Sequence, residues 1–199
     1  MDIVVGAHSS NRAIGAKGRI PWKCRADMQF FKEITTSTQD PSKVNAVIMG
    51  RTTYQSLGKP LANRVNVVLS RKKETTFPFD PSFSTITQQE EREGFKGNRW
   101  FPLFYSSSFN DAVDLLGRMT NVENIFVIGG ESVYKQALIH PKCRRIYLNL
   151  VHVACDLSEA DTFFPEVDTG LFELVETKAI DPSVTSYVFR RRNIYQPNV

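Results

Sequence analysis

The feature that most constrains the fold is a series of short, almost continuous runs of valine and isoleucine. In the clearest of them, Val65, Val67, Val68 and Leu69 leave only Asn66 as a polar position. A strand with one face in solvent alternates apolar and polar residues, whereas a strand covered on both faces is apolar at nearly every position. The runs therefore predict a mainly parallel central sheet with helices on both sides.

Segments with helical periodicity alternate with these runs, which is the pattern of an α/β fold. The predicted strands are residues 3–7, 44–49, 65–69, 125–128, 146–153 and 187–194. The predicted helices are residues 26–36, 52–57, 111–119 and 131–138. Ser108 lies three residues before Asp111 and is expected to cap the third helix. Residues 72–97 are rich in Thr, Pro, Gln and Glu, and we interpret them as a surface insertion.

Composition limits the class of protein. The 199 residues are 41% hydrophobic, which is enough for one globular domain over residues 1–199 with a sizeable core. No apolar run has the length of a membrane span. Cys24, Cys143 and Cys155 include no CxxC pair, which favours a reducing, cytoplasmic setting. The net charge of +4 suits an anionic small molecule at least as well as nucleic acid.

Three of the predicted strands end in glycines, hydroxyls or cations. They lead into Gly50, Arg51, Thr52 and Thr53, into Ser70, Arg71 and Lys72, and into Gly129, Gly130, Glu131 and Ser132. Open α/β sheets bind ligands at the carboxyl ends of their strands, so the three ends together predict a site for a nucleotide with several phosphates. Taken singly, each could also be a tight turn or a solvated strand end, and there is no GxGxxG or P-loop sequence.

Asp27 is a single carboxylate on an otherwise apolar helical face that includes Met28, Phe31 and Ile34. We expect this face to pack onto the core, where an ionised side chain is costly unless something pairs with it, and this favours a functional role. The simpler alternative is that Asp27 only complements the dipole of the helix N-terminus.

The chain resembles dihydrofolate reductase in a set of motifs that follow one another in the order of that family. They are Ile14-Gly15, Pro21-Trp22, Asp27 with Phe31, Val47-Ile48-Met49-Gly50-Arg51-Thr52-Thr53, Gly58-Lys59-Pro60-Leu61 with Arg64, Val68-Leu69-Ser70-Arg71, Val127-Ile128-Gly129-Gly130 with Tyr134, and Asp161-Thr162-Phe163-Phe164-Pro165. One such motif would be weak, but the ordered set is specific, and it covers nearly the whole chain apart from the insertion.

The resemblance implies a single-domain, dihydrofolate reductase-like α/β fold. It also implies the reduction of 7,8-dihydrofolate to 5,6,7,8-tetrahydrofolate by hydride transfer from NADPH. Asp27 occupies the position of the acid that orients the pterin and promotes its protonation. Two proton routes stay open, one through the pterin itself and one through a water near Trp22. The resemblance further implies a stand-alone cytoplasmic monomer that binds antifolate inhibitors and holds no metal.

Residue by residue, the implied substrate-binding positions are Val5, Ile20, Asp27, Met28, Phe31, Leu57, Lys59, Leu61, Arg64, Ile128, Tyr134 and Asn149. Among these, Arg64 is expected to bind the α-carboxylate of the substrate with both arms of its guanidinium. The implied cofactor-binding positions are Ala7, Ile14, Gly15, Gly18, Arg19, Gly50, Arg51, Thr52, Thr53, Ser70, Arg71, Lys72, Ile128, Gly129, Gly130, Glu131, Ser132, Val133 and Tyr134. Ser70 and Arg71 are expected to bind the 2'-phosphate that distinguishes NADPH from NADH.

Asn149 is the clearest departure from the family, which usually has Thr at this position. A carboxamide offers two donors and an acceptor, so we expect the amide of Asn149 to donate to Asp27 and to stabilise its ionised form. The alternative is that Asn149 turns away from the site.

Two other functions stay open on the sequence alone. A nucleotide- or RNA-binding module would account for the basic run Arg190, Arg191 and Arg192, but it would not need a buried Asp27. A reductase of other pterins or of flavin precursors is a closer rival. Arg64 favours folate over these substrates, because folate carries a carboxylated tail.

Overall fold

The computed structural model of the chain describes residues 1–71 and 103–193, so the predicted insertion and Lys72 lie outside the described residues. In chain order the elements are β1 (Asp2–His8), β2 (Ala13–Ala16), α1 (Arg25–Thr36), β3 (Val44–Gly50), α2 (Arg51–Leu57), β4 (Arg64–Leu69), β5 (Leu103–Ser106), α3 (Phe109–Arg118), β6 (Val122–Val127), α4 (Glu131–Ile139), β7 (Arg145–Val151), β8 (Ala160–Phe163), β9 (Phe172–Asp181) and β10 (Val184–Arg191). None of the described helices is long and apolar enough to cross a membrane.

The described strands form one eight-stranded sheet in the order β5-β4-β3-β6-β1-β7-β10-β9, and β2 and β8 form a separate pair. From β5 to β7, all neighbouring strands are parallel. The last two strands, β10 and β9, run antiparallel to their neighbours. The prediction of an α/β fold with a mainly parallel, mixed sheet is therefore confirmed.

Helices cover both faces of this sheet and create two cores. Val67 packs on one face with residues of α3 and α4 such as Phe109 and Val133. Its neighbour Val68 packs on the opposite face with residues of α1 and α2 such as Phe31. Successive residues of one strand thus belong to different cores, which explains why the valine runs lack polar alternation.

The strands β2, β5, β8 and β9 lie outside the predicted strands. Three of them have only four residues, and β9 is an edge strand with mainly exposed side chains, so none carries a long apolar run. The predicted strand 146–153 ends at Val151, and residue 194 of the last predicted strand lies outside the described residues. The predicted cap of α3 is confirmed, because the Ser108 hydroxyl accepts a hydrogen bond from the Asp111 N–H at 3.2 Å.

Candidate active site

A cavity of about 1010 Å³ lies at the carboxyl ends of the parallel strands, beside the N-terminal turns of α1, α2 and α4. The three strand ends that the sequence predicts to meet do so here, since Gly50, Ser70 and Gly129 all lie in its wall. The parallel order of β4, β3 and β6 brings these ends to one edge of the sheet.

Two of the strand ends meet through their backbone, and one of them needs glycine. The N–H of Gly50 donates to the carbonyl oxygen of Gly129 at 2.7 Å, and the peptide between Gly129 and Gly130 is cis. Gly129 has φ of +115°, and a Cβ atom there would lie 3.2 Å from the ring of Tyr134. Bare backbone therefore forms this part of the wall, and a ligand can approach it without an intervening side chain.

Asp27 lies in the first turn of α1 and is only 8% exposed, although it borders the cavity. The side-chain amide of Asn149 donates to its Oδ1 at 2.9 Å, so the predicted contact between the two residues is present. Burial raises the pKa of the Asp27 carboxyl above its ordinary value, and hydrogen bonds from Asn149 and Trp22 oppose part of that increase. A carboxylate that only complemented a helix dipole would have no reason to be buried in this way.

The region around Asp27 differs from the prediction in one respect. Met28 is 54% exposed and lies at the mouth of the cavity, as does Ile20, which is 50% exposed. Phe31 and Ile34, in contrast, pack against the sheet. The prediction that Met28 packs onto the core is wrong, because α1 turns this side chain towards the cavity.

Most of the predicted site residues line the cavity. They are Val5, Ile14, Gly15, Gly18, Arg19, Ile20, Trp22, Asp27, Met28, Phe31, Gly50, Arg51, Thr52, Thr53, Leu57, Ser70, Arg71, Ile128, Gly129, Gly130, Glu131, Ser132, Val133, Tyr134 and Asn149. Four described members are not in its wall. Ala7 is fully buried in the core, Leu61 packs against the core that contains Val68, Lys59 is exposed, and the guanidinium carbon of Arg64 lies 5.9 Å from the centroid of the Phe31 ring.

Arg64 is a buried cation, with 5% of its surface exposed. Its Nη1 donates to Thr35 Oγ1 at 2.7 Å and its Nε to the Ala62 carbonyl oxygen at 2.9 Å. Burial lowers the pKa of Arg64 to about 10, so the side chain stays charged at neutral pH. No carboxylate of the described residues pairs with it, so its charge is not neutralised by an ion pair in this part of the chain, although the side chain lies outside the cavity wall.

The end of the cavity beside α2 and α4 is positively charged. Arg51 and Arg71 line it, and neither forms an ion pair within the described part of the chain. The nearby carboxylate of Glu131 is already engaged, since it accepts from Lys135 Nζ at 2.6 Å and from the Phe163 N–H at 3.1 Å. This end of the cavity therefore favours anionic groups such as phosphates.

The hydroxyl of Tyr134 is engaged within the protein. It donates to the Val4 carbonyl oxygen at 3.0 Å, and burial raises the pKa of this phenol. The ring of Tyr134 packs against the backbone of Gly129. Tyr134 therefore shapes the wall and does not offer its hydroxyl to a ligand.

The sequence analysis missed several residues of the wall. They are Val4, Gly6, Ser56, Leu69, Ser107, Phe109, Lys135, Gln136 and Thr162. Gly6 and Thr162 lie next to or within motifs that point to the site, so their positions in the sequence were a usable signal. Ser107 follows β5, a strand whose short sequence gave no such signal.

Comparison with known proteins agrees with this geometry. The family model of dihydrofolate reductase matches residues 2–194. The chain belongs to the dihydrofolate reductase family. It is 32% identical to the dihydrofolate reductase of Heliothis virescens over 180 residues, which cover 89% of this chain and 85% of that protein. It is also 32% identical to the Drosophila melanogaster enzyme, over 86% of this chain and 82% of that protein.

A bifunctional dihydrofolate reductase-thymidylate synthase of Arabidopsis thaliana is 35% identical over 85% of this chain, which spans only 27% of that longer protein. The family assignment establishes that the reductase converts dihydrofolate to tetrahydrofolate. Members of this family use a nicotinamide cofactor. The assignment replaces both alternatives that the sequence left open, the nucleic-acid-binding module and the reductase of other pterins.

Proposed function

We propose that this reductase uses NADPH and that Asp27 orients the pterin ring and promotes its protonation. The observation that carries the proposal is the buried Asp27 carboxylate in the cavity wall, with Oδ1 bound by Asn149. The remaining lone pairs of the carboxylate can accept N–H groups of a pterin, which holds the ring in one orientation. A bound nicotinamide cofactor supplies the hydride.

Protonation of the substrate depends on how readily Asp27 holds a proton. Burial destabilises its charged form and raises its pKa towards the pH at which the enzyme works. The apolar side chains of Val5, Phe31 and Ile128 border the same cavity and exclude water from the reacting ring. Asp27 is thus suited to give or organise a proton at the ring nitrogen.

Asn149 adds a second polar group beside Asp27. Its carbonyl oxygen is buried and has no hydrogen-bond partner among the described residues. Because its amide already donates to Asp27, the carbonyl oxygen is the atom left to accept an N–H of the pterin or an O–H of a water bound with it. We therefore place Asn149 in the substrate site.

The preference for NADPH over NADH rests on the cationic end of the cavity. Arg71 and Ser70 follow β4 in its wall, and Arg51 lies at the start of α2. We assign Arg71 to the adenosine 2'-phosphate and Arg51 to the pyrophosphate, which both cofactors share. Gly129 and Gly130 present bare backbone to the cavity, which lets a bulky dinucleotide approach the main chain closely.

The first test is the oxidation of NADPH, followed by absorbance after dihydrofolate is added. Asp27→Asn should keep the fold and NADPH binding but lower turnover at neutral pH by about two to four orders of magnitude. Activity should partly return as the pH falls, because the substrate then takes a proton from solvent. Unchanged turnover at neutral pH would exclude the role proposed for Asp27.

Asp111→Asn is a matched control for this experiment. Asp111 occupies the first turn of α3 as Asp27 occupies that of α1, but its side chain is exposed and does not line the cavity. Its replacement removes the same interaction with a helix dipole. Turnover of Asp111→Asn should stay near that of the wild type. The cytoplasmic location, the monomeric state, the binding of antifolates and the surface insertion at 72–97 stay predictions.

A further inference from the structure

Gly6 lies in the middle of β1, directly opposite Asn149 in the register of β1 with β7. Gly6, Asn149 and Asp27 all line the cavity. The backbone of Gly6 lies outside the left-handed region that favours glycine, so alanine would fit the local backbone conformation. The reason for glycine at this position must therefore be sought in what surrounds it.

The group nearest to the position of a Gly6 side chain is the Asp27 carboxylate. A Cβ atom added to Gly6 would lie 2.5 Å from Oδ2, 2.9 Å from Oδ1 and 3.0 Å from Cγ of Asp27. Such separations are far shorter than van der Waals contact, so either the strand or the carboxylate would have to move. The carboxylate thus rests directly on the backbone of β1.

Asp27 has little freedom to yield. Its side chain is short and buried, and it belongs to a helix that is anchored on the sheet by Phe31. Its Oδ1 is held by Asn149, which is itself only 2% exposed. Asn149 draws the carboxylate towards the sheet, and the missing side chain at Gly6 provides the space that it occupies.

We propose that Gly6 and Asn149 act together as positioning residues that set how deeply the Asp27 carboxylate lies in the substrate site. The proposal rests on the function proposed above for Asp27. A methyl group at position 6 would push the carboxylate off β1 and lengthen its hydrogen bond to Asn149. The carboxyl group would then lose an interaction that stabilises its ionised form and would also be misplaced relative to the pterin.

The kinetic test is a double-mutant cycle of Gly6→Ala and Asn149→Thr. Because a misplacement of about 1 Å can cost about a hundredfold, Gly6→Ala should lower kcat/KM for dihydrofolate by about tenfold to a hundredfold. It should also raise the pH midpoint of hydride transfer. Thr at position 149 is shorter than Asn, so it leaves space on the β7 side for the Asp27 carboxylate that Gly6→Ala displaces. The double variant should therefore be more active than Gly6→Ala alone, and effects that simply multiply would overturn the proposal.

A second comparison holds even if Gly6→Ala folds poorly. In the wild-type background Gly6→Ala should lower the thermal midpoint by about 4 °C or more, as overpacking does. In an Asp27→Ala background, Gly6→Ala should leave the thermal midpoint unchanged, because the carboxylate atoms that would clash with the added methyl group are absent. An equal loss in both backgrounds would overturn the proposal. Gly117→Ala in α3 controls for the general effect of replacing glycine by alanine, because an added Cβ there meets nothing within 4 Å.

These outcomes separate the inference from the proposed function. If Asp27→Asn keeps full turnover, the role of Asp27 fails, whereas the thermal comparison still reports on the packing of Gly6. If Asp27→Asn loses turnover and Gly6→Ala behaves as the wild type, only the inference about Gly6 and Asn149 fails.

Discussion

Arg64 and Thr35 join the start of β4 to the last turn of α1 through a hydrogen bond of 2.7 Å from Nη1 to Oγ1. The Thr35 hydroxyl in turn donates to the Phe31 carbonyl oxygen at 2.7 Å, and Thr35 is fully buried. The helix that carries Asp27 therefore also fixes the guanidinium proposed to bind the far end of the substrate. One helix therefore fixes the distance between the Asp27 carboxylate and the Arg64 guanidinium.

Arg64→Ala should weaken dihydrofolate and hardly affect a small pterin that lacks the glutamate tail. A hydrogen-bonded ionic contact is worth about 1.5–3 kcal/mol, or about tenfold to more than a hundredfold in affinity. Dissociation constants of both ligands, measured by quenching of protein fluorescence, provide the check. Thr35→Val keeps the charge and removes only its anchor, so its loss should be smaller. Matched losses for the two ligands would contradict the role given to Arg64.

Arg71→Ala should weaken NADPH much more than NADH, since only NADPH carries the 2'-phosphate. The preference should fall by about tenfold to a hundredfold, as expected for one charge-assisted contact. Arg51→Ala is the matched variant, because the pyrophosphate is common to both cofactors and their affinities should fall together. If Arg71→Ala weakened NADPH and NADH equally, Arg71 would not bind the 2'-phosphate.

Asn149→Ala should raise the pH midpoint of hydride transfer and weaken folate. The hydrogen bond from Asn149 lowers the pKa of Asp27, so its removal lets burial raise that pKa further. Asn149→Thr should preserve most activity, because a hydroxyl can still donate to the carboxylate. The measurement is single-turnover hydride transfer across a range of pH. A pH profile and folate affinity that stay constant in Asn149→Ala would remove Asn149 from the site.

Asp27→Asn should make the protein more stable at neutral pH while it loses activity. The pKa of Asp27 is raised on folding from its ordinary value of 3.8, so the folded state loses stability as the pH rises from 3.8 through the raised value. The neutral amide avoids that cost. A gain of about 1 kcal/mol would raise the thermal midpoint by about 2–4 °C. The gain should vanish near pH 3, where the wild-type carboxyl is protonated in both states, and a constant difference at all pH values would argue against this cause.

Strands with both faces buried could be predicted because their signal is local. The run that contains Val67 and Val68 is apolar whatever its neighbours are, and it forms β4 as expected. The edge strand β9 could not be predicted in the same way, because most of its side chains are exposed and its pairing comes from β10. Periodicity places Met28 on the core side for a related reason, since it identifies a helical face but does not show whether a cavity lies beside it, whereas the family resemblance predicts Met28 at the substrate site.

The sequence by itself determined the α/β class, the family and the glycines at the strand ends, and it singled out Asp27 as the candidate acid. These depend on short-range patterns and on motifs that occur in a fixed order. Only the tertiary structure decided that Gly6 lies beneath the Asp27 carboxylate, and only it decided between the two orientations that the sequence left open for Asn149, which contacts Asp27 from 122 residues away. Those contacts depend on the order and register of β1 and β7 in the sheet and on how α1 crosses them, which no local property of the chain specifies.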